Sequence, residues 1–138
     1  MIVLDTNVLS EVMKSSPAVE VAKWMLRQTR SGLYTTAVCE AEIRLGIAFL
    51  PDGKRKYDLG LAAARVLDLL DGRILPFDSA ASEQFARIVA ERRRAGRPFQ
   101  NFDAQIAAIS LSRGMTLATR NATDFANAGL LVVDPWKA

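Results

Sequence analysis

Short apolar runs alternate with longer amphipathic stretches along the chain. Ile2-Val3-Leu4 stops at Asp5 and reads as a buried strand. Asn7 to Lys14 reads as a short helix. Ser16 followed by Pro17 predicts an N-cap and a first helical position, for a helix running to about Arg30 and stopped by Gly32. Leu33 to Thr35 is a second strand, and Thr36 can cap a helix to about Leu50, closed by the turn Pro51-Asp52-Gly53. A further helix runs from about Lys54 to Leu70 and ends at Gly72. Arg73 to Phe77 is a third strand, with Pro76 marking its end or an edge. Asp78 or Ser79 caps a helix to about Ala95, with Gly96 after it. Asn101 caps a helix to Arg113 that Gly114 ends; Met115 to Ala118 and Leu130 to Val133 complete the strands.

Strands alternating with helices, with no hairpin signals between them, imply an α/β fold: a parallel, roughly five-stranded sheet covered by helices on both faces. In such sheets the functional crevice lies beyond the carboxyl ends of the strands. No repeat or linker divides the 138 residues, so residues 1–138 are expected to form a single domain.

Composition narrows the chemistry. Histidine is absent and Cys39 is the one cysteine, which excludes His-based acid–base catalysis, imidazole or thiolate zinc sites and an internal disulfide. The net charge of +3 is a mild bias toward anionic partners. MIVLDTN lacks a basic leader, and no apolar run approaches the ~18 residues of a membrane span, so a cytoplasmic protein is expected.

The acids then stand out. Asp5 directly follows a strand and projects into the expected crevice, although a carboxylate there can equally cap the next helix. Glu40 has Arg44 four residues on, a solvated pair of the ordinary kind. Glu42, about 200° around the same helix, has Val38, Cys39, Leu45 and Gly46 as surface neighbours. A carboxylate there either meets a cation or sits at the edge of the stripe and reaches water. Asp103 suits the helix dipole in its first turn, yet Phe99, Ile106 and Ala107 surround it. Thr119-Arg120-Asn121 follows the fourth strand, placing Asn121 near the crevice with Asp124 one turn further; both also fit an ordinary polar loop.

Taken together, three or four carboxyl groups fall at one end of one sheet, with no Lys or His positioned by sequence to neutralise them. Such crowding is unfavourable unless a cation holds the group together. Oxygen ligands alone select hard ions, so Mg²⁺ or Mn²⁺ is the expected cofactor, and phosphodiester hydrolysis the expected chemistry.

These residues also carry a resemblance. I-V-L-D-T-N-V-L-S-E at 2–11, A-E-I-R-L-G at 41–46, F-D-A-Q-I-A-A at 102–108, T-L-A-T-R-N-A-T-D-F at 116–125 and V-D-P-W at 133–136 resemble the PIN-domain ribonucleases, most closely the VapC and FitB-like toxins of bacterial toxin–antitoxin pairs. The resemblance implies a three-layer α/β/α fold and metal-dependent cleavage of RNA. It makes Asp5 and Asp103 the principal metal ligands, with Glu42 the third acid, ligating directly or through water. Thr6 and Asn7 would support the ligands. Asn121 stands where some relatives have Asp, and either Asn121 or Asp124 would complete the catalytic set. The implied partners are an RNA substrate, a cognate antitoxin chain, operator DNA met only through that antitoxin, and a second copy of the chain; no membrane is implied.

Basic residues offer weaker signals. Lys54-Arg55-Lys56 begins a helix, where the dipole disfavours cations, and Arg92-Arg93-Arg94 with Arg97 ends one, where cations are at home. Solvated surface accounts better for both clusters. Lys54 and Arg55 remain weak RNA contacts, and Arg120 is the stronger candidate for phosphate. Val19, Val21, Ala22, Trp24, Met25 and Leu26, with Leu59, Leu61 and Val66, form more apolar surface than one stripe needs. The pattern leaves core and interface open, and the resemblance favours a homodimer whose apolar surface also receives an antitoxin segment.

Two other α/β families open on a strand ending in Asp. Haloacid-dehalogenase-like phosphatases need a second Asp where Asn7 stands, and receiver domains need an acidic pair that is missing. The remaining rival keeps the fold and weakens the catalysis, leaving a PIN module that acts mainly as partner of a DNA-binding antitoxin in a repressor complex.

Overall fold

The computed structural model describes residues 1–138. Five strands form one parallel sheet: β1 (Ile2–Leu4), β2 (Leu33–Thr36), β3 (Ile74–Leu75), β4 (Thr116–Ala118) and β5 (Val132–Val133), in the order β3-β2-β1-β4-β5. Six α-helices connect and cover them: α1 (Thr6–Val12), α2 (Val19–Leu26), α3 (Ala37–Ala48), α4 (Lys54–Leu69), α5 (Ser79–Arg94) and α6 (Asn101–Ser112). With helices on both faces this is a three-layer α/β/α architecture. The strands are short, and their inward side chains bury completely: Val3, Thr35, Leu117 and Ala118 are all 0% exposed.

The strand order positions the site. From β1 the chain moves outward through β2 and β3, then returns to place β4 on the other side of β1. That reversal opens a crevice at the carboxyl ends of β1 and β4. Leu4 pairs with Ala118, so Asp5 and Thr119 leave the sheet side by side. The Asp5 amide still donates to the Ala118 carbonyl at 2.9 Å, which holds Asp5 to the strand end even as its side chain caps α1.

Two caps follow the sequence signals. Thr36 accepts from the Cys39 amide, and Asp78, one of the two expected caps, accepts from the Ala81 amide. Two others do not. The first residue of α2 is Val19 and its cap is Ala18, so Ser16-Pro17 does not open the helix, which stops at Leu26 before a separate 3₁₀ turn at Arg30–Gly32. The reason is tertiary: Glu11 Oε2 reaches across from α1 and accepts the Ala18 amide at 3.0 Å. At α6 the cap is Gln100 rather than Asn101, and no side chain fills it. After α5, Gly96 takes φ +71°, a left-handed value that turns the chain toward Pro98 and Phe99.

Candidate active site at the carboxyl end of the sheet

Asp5, Thr6, Asn7, Glu42, Asp103, Arg120 and Asn121 line one polar cleft. β1 delivers Asp5, the middle of α3 delivers Glu42, and the first turn of α6 delivers Asp103. Asp5 is buried, and its carboxylate is held from several sides. Oδ1 accepts the Thr6 amide at 2.8 Å, while Oδ2 accepts the Thr119 hydroxyl at 2.6 Å and the Asn7 amide group at 3.4 Å. Beneath it the Cys39 thiol approaches Oδ1 at 4.0 Å. Burial first, and the neighbouring Asp5 charge second, push that thiol up to about 11, so it stays protonated.

Glu42 sits at the edge of the core stripe. Its neighbours Val38, Cys39 and Ile43 are buried, while a side chain at Gly46 would meet nothing within 4 Å. The carboxylate emerges into the cleft, where the Thr6 hydroxyl donates to it at 2.7 Å. Thr6 therefore bridges two acids, its amide on Asp5 and its hydroxyl on Glu42. Asp103 has no such donor. Burial, then the charges of Asp5, Glu42 and Asp124, raise its carboxyl to about 6. Asp5 is also raised, mainly by burial and in spite of the Thr119 and Thr6 hydrogen bonds. Glu42 moves the same way for the same leading cause.

These shifts describe a pocket that resists its own negative charge. None of the three acids is in a salt bridge, and every donor on Asp5 and Glu42 is neutral. An all-oxygen donor set of this kind fits a hard divalent cation. No three acids are grouped closely enough, as the side chains stand, to hold one ion between them. Mg²⁺ is commonly held by one or two carboxylates with water completing its set.

Other expected residues fall in varied places. Asn7 also donates to Thr119 Oγ1 at 3.2 Å and accepts the Arg120 amide at 3.2 Å, knitting the ends of β1 and β4 together. The Arg120 guanidinium lies over Trp136, 4.9 Å from the ring centre, at the rim of the cleft. Asp124 does not line the cleft; it borders an adjacent recess that also contains Asp103. Lys54 and Arg55 are exposed and lie outside the cleft, and Lys54 is paired with Asp58 at 2.7 Å.

Three residues escape the sequence reading. Thr119 is fully buried and holds Asp5; its position directly after β4, matching that of Asp5 after β1, was the available signal. Glu11 is a buried acid at the cleft wall, held by the Ala18 amide and by Lys14 at 3.0 Å, which together lower its carboxyl below the usual range. Lys14 thus brings a cation to the cleft wall, contrary to the expectation of none, although Glu11 engages it.

The PIN domain family model matches residues 2–130. The chain belongs to the PIN domain family. Within it the similarity is to VapC- and FitB-like proteins. The chain is 40% identical to the plasmid stability protein StbB of Pseudomonas syringae pv. tomato over 139 residues, covering 100% of both. It is 40% identical to the VapC ribonuclease Y4jK of Sinorhizobium fredii, covering 99% of each. Among solved structures, FitAB bound to an IR36 DNA fragment superposes with a TM-score of 0.91 at 37% identity, covering 99% of this chain and 96% of that one.

Proposed function

We propose that this chain is the ribonuclease toxin of a toxin–antitoxin pair, hydrolysing RNA phosphodiester bonds with Mg²⁺ or Mn²⁺. The observation that carries the reading is the meeting of Asp5, Glu42 and Asp103 in one cleft where none of them forms a salt bridge. Similarity to a VapC ribonuclease supports it. Asp5 and Asp103 would be the principal ligands, with Glu42 ligating directly or through water. When bound, the ion would lower the pKa of a water molecule and offset charge on the phosphate oxygens. The protein's own part is positioning: Thr119, Thr6 and Asn7 aim Asp5, and the Thr6 hydroxyl aims Glu42. Arg120 at the rim would meet phosphate. Of the two candidates for the fourth ligand, Asn121 lines the same cleft as the acids and is favoured over Asp124.

The same reading carries one domain over residues 1–138, a homodimer, an antitoxin partner through which operator DNA is met, and a cytoplasmic location. The DNA-bound FitAB complex supports the antitoxin. No helix is long and apolar enough to cross a membrane. An apolar groove bounded by Pro17, Ala22, Met25, Leu26, Val66 and Leu69 supports assembly with a second chain.

A second reading is a catalytically weak PIN module in a repressor complex. It is favoured by the neutral Asn121 and by the lack of three grouped acids. One experiment separates the two: purified chain is incubated with RNA and Mn²⁺, beside Asp5→Asn. Cleavage by the parent and its loss in the variant are expected. An inert parent would leave the repressor module as the better account.

A further inference from the structure

The arginines that end α5 do not share one environment. Arg93 and Arg94 are exposed, as a solvated last turn requires, but Arg92 is only 8% exposed. Its Nη1 donates to the Arg97 carbonyl at 3.2 Å, and its Nη2 donates to the Asp124 carbonyl. The guanidinium lies 3.8 Å over the Phe99 ring centre, and Phe99 in turn packs on Phe125. Burying a cation without a direct ion pair is unfavourable, and here two carbonyl dipoles, a ring face and the more distant Asp124 charge offset it. The Arg92 Nε is buried with no partner at all. Three separate segments are thereby clamped into one wall: the end of α5, the 97–100 loop and the 122–125 turn.

That wall encloses a recess of about 330 Å³ bounded by Arg92, Arg97, Gln100, Thr123, Asp124 and Asp103. Asp103 also lines the acid cleft, so the recess opens directly beside it. Two guanidinium groups are matched there by two carboxylates. Even with Asp103 given to a metal ion, the donors Arg97 and Gln100 stand beside the acceptors Asp124 and Thr123, whereas a phosphate, itself only an acceptor, asks for donors alone. Donors set beside acceptors are what the edge of a nucleobase requires, and unpaired RNA bases are read by such polar edges.

We propose that this recess is a base-recognition subsite, taking the nucleobase of the nucleotide next to the phosphate held at the acid cleft. Arg97 and Gln100 supply exposed donors, Asp124 and Thr123 supply acceptors, and Arg92 is the positioning residue that keeps the wall rigid. That RNA is the ligand, and that the neighbouring group is a scissile phosphate, rest on the ribonuclease reading.

The test uses the double variant Arg97→Ala, Gln100→Ala, whose sites are exposed, with its melting temperature compared with the parent's. A random-sequence RNA is cleaved in Mn²⁺ and the product ends are sequenced. The parent is expected to prefer one base at a position beside the cut by about ten-fold, the scale of one good polar base contact. The variant should lose that preference, with the loss of cleavage falling on the preferred sequences and the disfavoured ones little changed. An unchanged preference overturns the proposal. So does an even loss at every sequence with a shallower salt dependence, which is the mark of a phosphate contact. A second readout needs no cleavage: in EDTA, labelled oligo-U, oligo-A and oligo-C octamers are titrated by fluorescence anisotropy. Discrimination by the parent that the variant loses supports the recess, even where the parent proves inert as a nuclease. Equal binding of all three by the parent overturns it.

Discussion

The Thr119 hydroxyl donates to Asp5 Oδ2 at 2.6 Å, across 114 residues of chain. It also accepts the Asn121 amide at 3.1 Å, so one buried hydroxyl joins the first acid of the cleft to the loop after β4. The contact follows from parallel pairing, because Leu4 and Ala118 face each other and the residues after them must diverge together.

Thr119→Val keeps the shape of the side chain and removes the donor. We expect a loss of about 1–2 kcal/mol in urea unfolding at pH 7, the usual consequence of leaving a buried acceptor short of a partner. The Thr119 hydrogen bond lowers the Asp5 carboxyl, so its removal raises that carboxyl further. Cleavage should then fall away at a higher pH than in the parent. Thr119→Ser restores the donor and should restore both stability and the pH profile. A Thr119→Val chain as stable as the parent, with the same profile, would show that the contact carries no energy.

Asp103 makes the metal-free protein less stable at neutral pH. Its carboxyl is raised from 3.8 to about 6, so between these values the folded state binds more protons than the unfolded one. The stabilisation is complete below the unfolded value and is gone above about 6. Asp103→Asn abolishes this dependence, and in EDTA its melting temperature should rise relative to the parent's as pH increases from 4 to about 7. A constant difference across that range would refute the assignment. Glu11 has the opposite sign: its lowered carboxyl contributes stability that is lost as pH falls. Comparing single variants separates the two.

Asn121→Asp adds a charge to the rim of the same cleft. Mn²⁺ should bind more tightly to the variant in isothermal titration, because the site then offers four ionisable carboxyl groups. Equal affinities would mean that residue 121 does not reach the ion, and Asp124 would become the better fourth ligand. Chelation by EDTA should abolish cleavage in both proteins, and added Mn²⁺ should restore it.

Leu26 is 87% exposed and Leu69 is 54% exposed, and both border the apolar groove. The double variant Leu26→Lys, Leu69→Lys loses little packing within one chain, so its thermal stability at low protein concentration should shift by less than about 1 kcal/mol. If the groove joins two copies, light scattering should report a dimer for the parent and a monomer for the variant. A variant that remains dimeric would place the dimer contact elsewhere on the surface.

The local pattern was sufficient for much of this protein. Strand ends, helix phases and the polar faces of α3 and α6 depend on residues within a few positions of one another. Asp5 therefore stands out as an acid at a strand end, and Glu42 and Asp103 as acids on apolar helix faces. What the sequence could not determine was which strand lies beside which. The order β3-β2-β1-β4-β5 makes Thr119 the partner of Asp5, a relation between residues far apart in the chain. The same limit hid Glu11, whose bond to the Ala18 amide displaced the expected start of α2. It also hid Arg92, whose neighbours in sequence are solvated arginines while its neighbours in space are Phe99 and two carbonyls. Spacing along the chain determines which way a side chain points from its own element. Only the packing of elements decides what it meets there, and that meeting separates a buried cation from a surface one.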